Sequence, residues 1–158
     1  MKTMRGDLIA LAESGRFDVI VHGCNCFCTM GAGIARGIKS AFPDAFEADC
    51  ATPSGWRDKL GTCSVSLCQT AHGQLWVVNA YTQYKPTGPL PLVDEEAVRT
   101  CFAWVAQRFA TARIGIPKIG AGLAGGDWSR LAPMIEREMT GRDLTLVIYE
   151  PASPGGGQ

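Results

Sequence analysis

Apolar positions along this chain fall into two kinds of block. Compact runs rich in β-branched and aliphatic residues cover residues 17–21, 75–80, 113–117 and 144–149. Such runs, bounded by glycine or proline, predict buried strands. Between them, apolar residues recur three and four apart: Ile34, Ile38, Phe42; then Val98, Phe102, Val105, Phe109; then Trp128, Leu131, Ile135, Met139. That spacing puts them on one face of a helix. Residues 1–5 predict a first strand and residues 8–12 a brief helix ending near Gly15, with Asp7 placed to cap it. A helix over residues 32–41 must stop before Phe42-Pro43, because the residue preceding proline is pushed out of the helical region. Residues 44–61 read as a short acidic helix and a loop, with Trp56 as a core plug. Residues 62–68 alternate, with Cys63, Val65 and Leu67 on one side, and pair with 75–80 as a hairpin around Gly73. Asp94-Glu95-Glu96 suits a helix N-terminus, and Gly141 ends the last helix. Strands interleaved with helices predict an α/β sandwich in one domain over residues 1–150, followed by a tail of disordered-end composition over 151–158.

Two of the strand-to-helix connections share one design. Met30-Gly31-Ala32-Gly33-Ile34-Ala35 follows the strand at 17–21, and Lys118-Ile119-Gly120-Ala121-Gly122-Leu123-Ala124-Gly125-Gly126-Asp127 follows the strand at 113–117. Small-residue loops ahead of a helix turn bare N–H groups toward an anion. Without Cβ atoms, Gly31 and Gly33 let an anion touch the backbone. Two such loops facing one crevice would wrap a diphosphate. Neither carries the lysine of a GxxxxGK[ST] loop, and Arg36 stands where the third glycine of a dinucleotide fingerprint belongs. Asn25, just past the strand, is both donor and acceptor and suits a pair of sugar hydroxyls, or an Asx turn.

Composition narrows the partners. The chain has 158 residues and a formal charge of zero, without a basic run, so the footprint of a general nucleic-acid binder is missing. No apolar run approaches membrane-spanning length, and residues 1–7 lack a signal-peptide core. A monomer in the cytoplasm, with no cofactor, is the expectation. Seven cysteines fit reduced thiols. Cys24, Cys26 and Cys28, two apart beside His22, would share a face of an extended segment, but zinc sites favour Cys-x-x-Cys spacing, and no metal is expected.

The chain resembles the macrodomain family from Arg5 to Glu150. The likeness lies in Gly6-Asp7-Leu8, Val21-His22-Gly23-Cys24-Asn25, Met30-Gly31-Ala32-Gly33-Ile34-Ala35, Val78-Asn79-Ala80-Tyr81-Thr82-Gln83-Tyr84 and Ile116-Pro117-Lys118-Ile119-Gly120-Ala121-Gly122-Leu123. The small bacterial and phage branch is most similar, related to ADP-ribose-1''-phosphate phosphatases and terminal ADP-ribose glycohydrolases. This resemblance implies a three-layer α/β/α sandwich with a central mixed sheet and a cleft for ADP-ribose or an ADP-ribosylated substrate. Asp7, with Leu8 beside it, would read the adenine, bordered by Tyr149 or Pro151. Asn25 would hold the distal ribose. Gly31, Ala32, Gly33 and Ile34 would cradle one side of the diphosphate, and Gly120, Ala121, Gly122, Leu123, Ala124 and Gly125 the other.

Hydrolysis at the distal C1'' builds oxocarbenium character, which a nearby carboxylate and an oriented water favour. Asp127, the carboxylate of the second loop region, is the expected water-orienting group, at C1'' or at a 1''-phosphate, or else a helix cap. Asn25 and His22 complete the expected catalytic set, although a histidine at a strand end also suits the core. The glycohydrolase pattern would place a nucleophilic lysine where Thr82-Gln83 stand, with Lys85 two residues on, and an acid where Ala124 stands. A lysine-based covalent route is therefore disfavoured. Hydrolysis of ADP-ribose-1''-phosphate or of an ADP-ribosyl linkage remains the expectation, with non-catalytic ADP-ribose binding as its rival.

Overall fold

The computed structural model describes residues 1–151, so the expected tail lies outside the described residues from Ala152 onward. Six strands are present: β1 (Lys2–Gly6), β2 (Val19–Cys24), β3 (Cys63–Thr70), β4 (Gly73–Tyr81), β5 (Arg113–Ile116) and β6 (Asp143–Tyr149). Five helices accompany them: α1 (Leu8–Glu13), α2 (Gly33–Ala41), α3 (Pro43–Cys50), α4 (Glu95–Arg108) and α5 (Trp128–Glu138). The sheet order is β1-β6-β5-β2-β4-β3. All neighbours are parallel except β3, which pairs antiparallel with β4 through the expected hairpin. The C-terminal ends of five strands therefore meet one edge, where open parallel sheets place ligands.

Strand alternation divides the core into two layers. Val19, Val21, Val78, Ile114, Ile116, Leu144 and Leu146 face one side, beneath Val98, Phe102 and Val105 of α4 and Leu131 and Ile135 of α5. Ile20, Val77, Tyr81 and Val147 face the other, beneath Leu8 and Ala12 of α1, Ile38 of α2 and Ala45 of α3. This is the expected three-layer sandwich. The apolar stripe of α4 is buried as its spacing predicts, and Asp94 caps the helix by accepting from Ala97 N at 2.9 Å. The break between α2 and α3 falls at Phe42, with Pro43 opening α3, where its missing N–H costs nothing.

Three local expectations change. Trp56 is 55 % exposed rather than a core plug. Its loop is pinned by backbone instead, with Gly55 N donating to Cys26 O at 2.7 Å, so the indole has no packing duty. Leu67 is exposed on the edge strand, while Cys63 and Val65 pack against the core. Cys24, Cys26 and Cys28 do not share a face. The strand ends at Cys24, and Cys28 turns left-handed with φ of 56°. Their sulfurs accordingly face His22, the carbonyl of Gln83 and the carbonyl of Asp49 in turn.

Candidate functional site

A cleft of about 550 Å³ opens over the C-terminal edge of the sheet. One wall is the first glycine loop: Gly31, Ala32, Gly33 and Ile34 all line it. The facing wall is the second, through Gly120, Gly122, Leu123 and Ala124. The walls meet at Leu123, whose Cδ1 would lie 3.3 Å from a Cβ on Gly33. Gly33 also holds φ of 57°, so its lack of a side chain serves both the turn and the close approach.

The first wall is a helix terminus. Ala32 is the N-cap of α2 and offers no side-chain hydrogen bond to the first turn. The N-terminal N–H groups of α2 thus keep their donor capacity at the cleft, with the positive end of the helix dipole behind them. The second wall is a self-bonded ring. Ala121 N donates to Lys118 O, Gly125 N to Gly122 O at 3.0 Å, and Gly126 N to Gly120 O at 2.7 Å. Gly120 and Gly125 take left-handed φ of 77° and 72° to close it. Ala121 and Gly125 are not among the lining residues. Gly125 backs onto Leu90, which is why it faces away from the cleft.

Asn25 lines the cleft where β2 ends. Its Oδ1 accepts from Phe27 N at 2.8 Å, an Asx turn, and its Nδ2 donates to Thr29 Oγ1 at 2.7 Å. The turn and the cleft position coexist in one residue. Asp7, Leu8 and Tyr149 do not line this cleft. They stand at β1 and β6, beyond β5 from β2, where Gly6 of β1 pairs with Tyr149 of β6. Asp7 caps α1 with Oδ1, which accepts from Ile9 N and Ala10 N. Leu8 is buried, so only its backbone could meet a ligand, whereas Tyr149 is exposed.

Two expected catalytic groups lie elsewhere. His22 is completely buried because β2 runs through it to Cys24. Its Nε2 meets Asn79 Oδ1 at 2.7 Å, and Asn79 Nδ2 donates to Ala45 O and Ser64 Oγ, tying β2, β4, α3 and β3 together. Burial lowers the His22 pKa to about 4, only partly offset by Asn79, so the ring is neutral at physiological pH. Asp127 is exposed, outside the cleft lining, and caps α5 by accepting from Ser129 N at 2.9 Å and Ser129 Oγ at 2.7 Å. Those bonds lower its pKa. Lys85 is likewise exposed and not in the lining, although Pro86 and Thr87 are.

The structure adds lining residues that the sequence reading did not select: Asp49, Thr82, Gln83, Thr87 and Lys118. Asp49 is the lining carboxyl among the described residues, and it is 1 % exposed. Ala45 and Asp49 sit four apart on one face of α3, and the packing of the helix is what marks that face as the buried one.

The macro domain family model matches residues 21–135. The chain belongs to the macrodomain family. It is 32 % identical over 157 residues to the 17.5 kDa protein of the tk-vs intergenic region of enterobacteria phage T4, covering 96 % of this chain and 97 % of that one. A macrodomain protein from Streptomyces coelicolor is 28 % identical with a TM-score of 0.64, over 94 % of this chain and 99 % of that one. Thermosipho africanus DarTG, solved in complex with ADP-ribose, shares the fold with a TM-score of 0.68 at 17 % identity, over 100 % of this chain and 43 % of that one.

Proposed function

We propose that this macrodomain binds ADP-ribose along the C-terminal edge of its sheet and hydrolyses a substituent at the distal ribose, at C1'' or at a phosphate carried on it. Its substrate is then ADP-ribose-1''-phosphate or an ADP-ribosyl linkage, with water as the other reactant. The observation that carries the reading is the pair of glycine loops walling one cleft, a helix terminus on one side and a closed ring on the other. A diphosphate between them would be met by main-chain donors from α2. The adenine would lie toward the Asp7 and Tyr149 end, and the distal ribose toward Asn25. The Thermosipho protein of the same fold supports the choice of ligand.

A second reading, a binder of free or attached ADP-ribose without turnover, is favoured by one observation: Asp127 and His22 both stand outside the cleft lining. Calorimetry with ADP-ribose, ADP and AMP tests the binding claim, which requires affinity to fall in that order. Incubation with ADP-ribose-1''-phosphate and with an ADP-ribosylated protein separates the two readings. Tight ADP-ribose binding without product from either substrate leaves the binder alone standing.

A further inference from the structure

Asp49, in the last turn of α3, has one carboxylate oxygen engaged and the other orphaned. Oδ1 accepts from the Tyr81 hydroxyl at 2.8 Å. Oδ2 is buried and has no hydrogen-bond partner, the one such side-chain atom among the described residues. A buried acceptor without a donor is costly, more so when ionised, and asks for an explanation. The residue lines the cleft, as do Gly23, Cys24 and Asn25 where β2 ends.

Its surroundings hold the carboxyl without completing it. Tyr81 is fixed in turn by Ser64 Oγ at 2.8 Å. The buried amine of Lys59 is directed to Cys26 O, Cys28 Sγ and Pro53 O. It forms no ion pair with Asp49 among the described residues, so its charge acts on the carboxylate from a distance. Thr52 Oγ1 and Cys28 Sγ both donate to the Asp49 backbone carbonyl, which fixes where the side chain starts. A preorganised acceptor with a vacant lone pair, on a residue that lines the cleft, suits an incoming hydroxyl donor.

We propose that Asp49 Oδ2 accepts a hydrogen bond from a hydroxyl of the ribose beyond the diphosphate, making Asp49 the residue that separates ADP-ribose from ADP. This assignment rests on the ADP-ribose reading above and adds a specificity group to it. Tyr81 acts through Asp49 as a positioning residue.

The test is a set of binding titrations on wild-type, Asp49→Asn and Asp49→Ala proteins, each first shown to be folded by a thermal melt. The ligands are ADP, ADP-ribose and ADP-ribose analogues lacking one distal-ribose hydroxyl at a time. The expected result is an ADP affinity within about twofold of wild type in both variants and an ADP-ribose affinity reduced about tenfold or more, the scale of a hydrogen bond to a charged group. One deoxy analogue should lose as much on wild type and lose nothing further on the variants. Unchanged preference for ADP-ribose over ADP in a folded variant overturns the assignment and leaves the ADP-ribose reading intact. Equal losses for ADP and ADP-ribose also overturn it, because they mark a merely structural role. Wild-type protein that binds neither ligand overturns both.

Discussion

Residues 28–35 and 118–127 each carry the chain from a parallel strand into a helix through glycines, yet they solve the end of that helix in opposite ways. At α2 the cap position is Ala32, which supplies no acceptor, so the donors of the first turn are left for a ligand. At α5 the cap is Asp127, whose carboxylate already takes the Ser129 N–H. The first unit leaves the donors of its first turn without a side-chain cap. The second is capped and spends its own N–H groups on closing a ring, so what it contributes is a shaped wall. A glycine-rich string before a helix is therefore insufficient to define an anion site. The residue at the cap decides whether donors remain.

The largest expected effect comes from giving the first loop what the second has. Ala32→Asp supplies a cap to α2, which should raise stability by about 1 kcal/mol. It also puts a negative charge where the diphosphate is expected. Like charges at a binding site cost several kcal/mol, so ADP-ribose affinity should fall at least about a hundredfold. A melt and a titration on the same sample check both signs. Unimpaired binding would break the contrast between the loops.

Acid should loosen the first unit from its stem. His22 is on β2 just before that loop, and its folded pKa is about 4 against an ordinary 6.5. Between these values the unfolded chain binds the proton and the folded one does not, so stability falls as pH falls from 6.5 toward 4. The size is about 3 kcal/mol by pH 4, taking 1.36 kcal/mol per unit. Asp49 works the other way, since burial raises its pKa and the folded state takes its proton first. Denaturant titrations of wild type and His22→Gln at pH 7 and pH 4 isolate the histidine. The difference between the two proteins should shift by about 3 kcal/mol across that range. A constant difference would show that His22 is not held neutral.

The ring of the second loop should respond in stability before it responds in binding. A Cβ on Gly126 would lie 2.5 Å from Gly120 O, inside the ring itself. Gly126→Ala should therefore cost about 1–3 kcal/mol by overpacking. ADP-ribose affinity measured well below the new melting temperature should drop by a smaller factor than with Ala32→Asp. The reverse ranking would make the second loop the main source of phosphate donors.

Much of this was legible in the chain. The strands and the stripe of α4 follow from periodicity, and both glycine loops were found because each lies between a strand pattern and a helix pattern. What was hidden depended on depth rather than on sequence spacing. Asp49 is one of several acidic residues in the segment 44–49, and only the packing of α3 against β3 and β4 shows that it points inward while Asp44 and Glu47 do not. His22 allowed both a core and a catalytic reading, and the core one holds because β2 continues three residues past Val21 and buries the ring. Trp56 erred in the other direction, since an aromatic in a loop has no obligation to be inside.

Asp127 gives the smallest and most discriminating effect. A carboxylate after a glycine loop invites a catalytic role, and its chemistry would suit one. Its geometry assigns the charge to the helix instead: Oδ1 is shared between the N–H and the hydroxyl of Ser129, the side chain is exposed, and it is not part of the cleft lining. Asp127→Ala should lower the melting temperature by about 2–4 °C through loss of the cap. Asp127→Ser, which restores a cap without a carboxylate, should recover most of it. Both variants should bind ADP-ribose as wild type does, and whatever turnover the wild type shows on ADP-ribose-1''-phosphate should be retained within about twofold, since no group at the reacting centre has been removed. A tenfold loss of kcat in both variants, with melting temperatures matched by choice of assay temperature, would return Asp127 to the chemistry and erase the distinction between a loop that offers its helix end and a loop that has already used it.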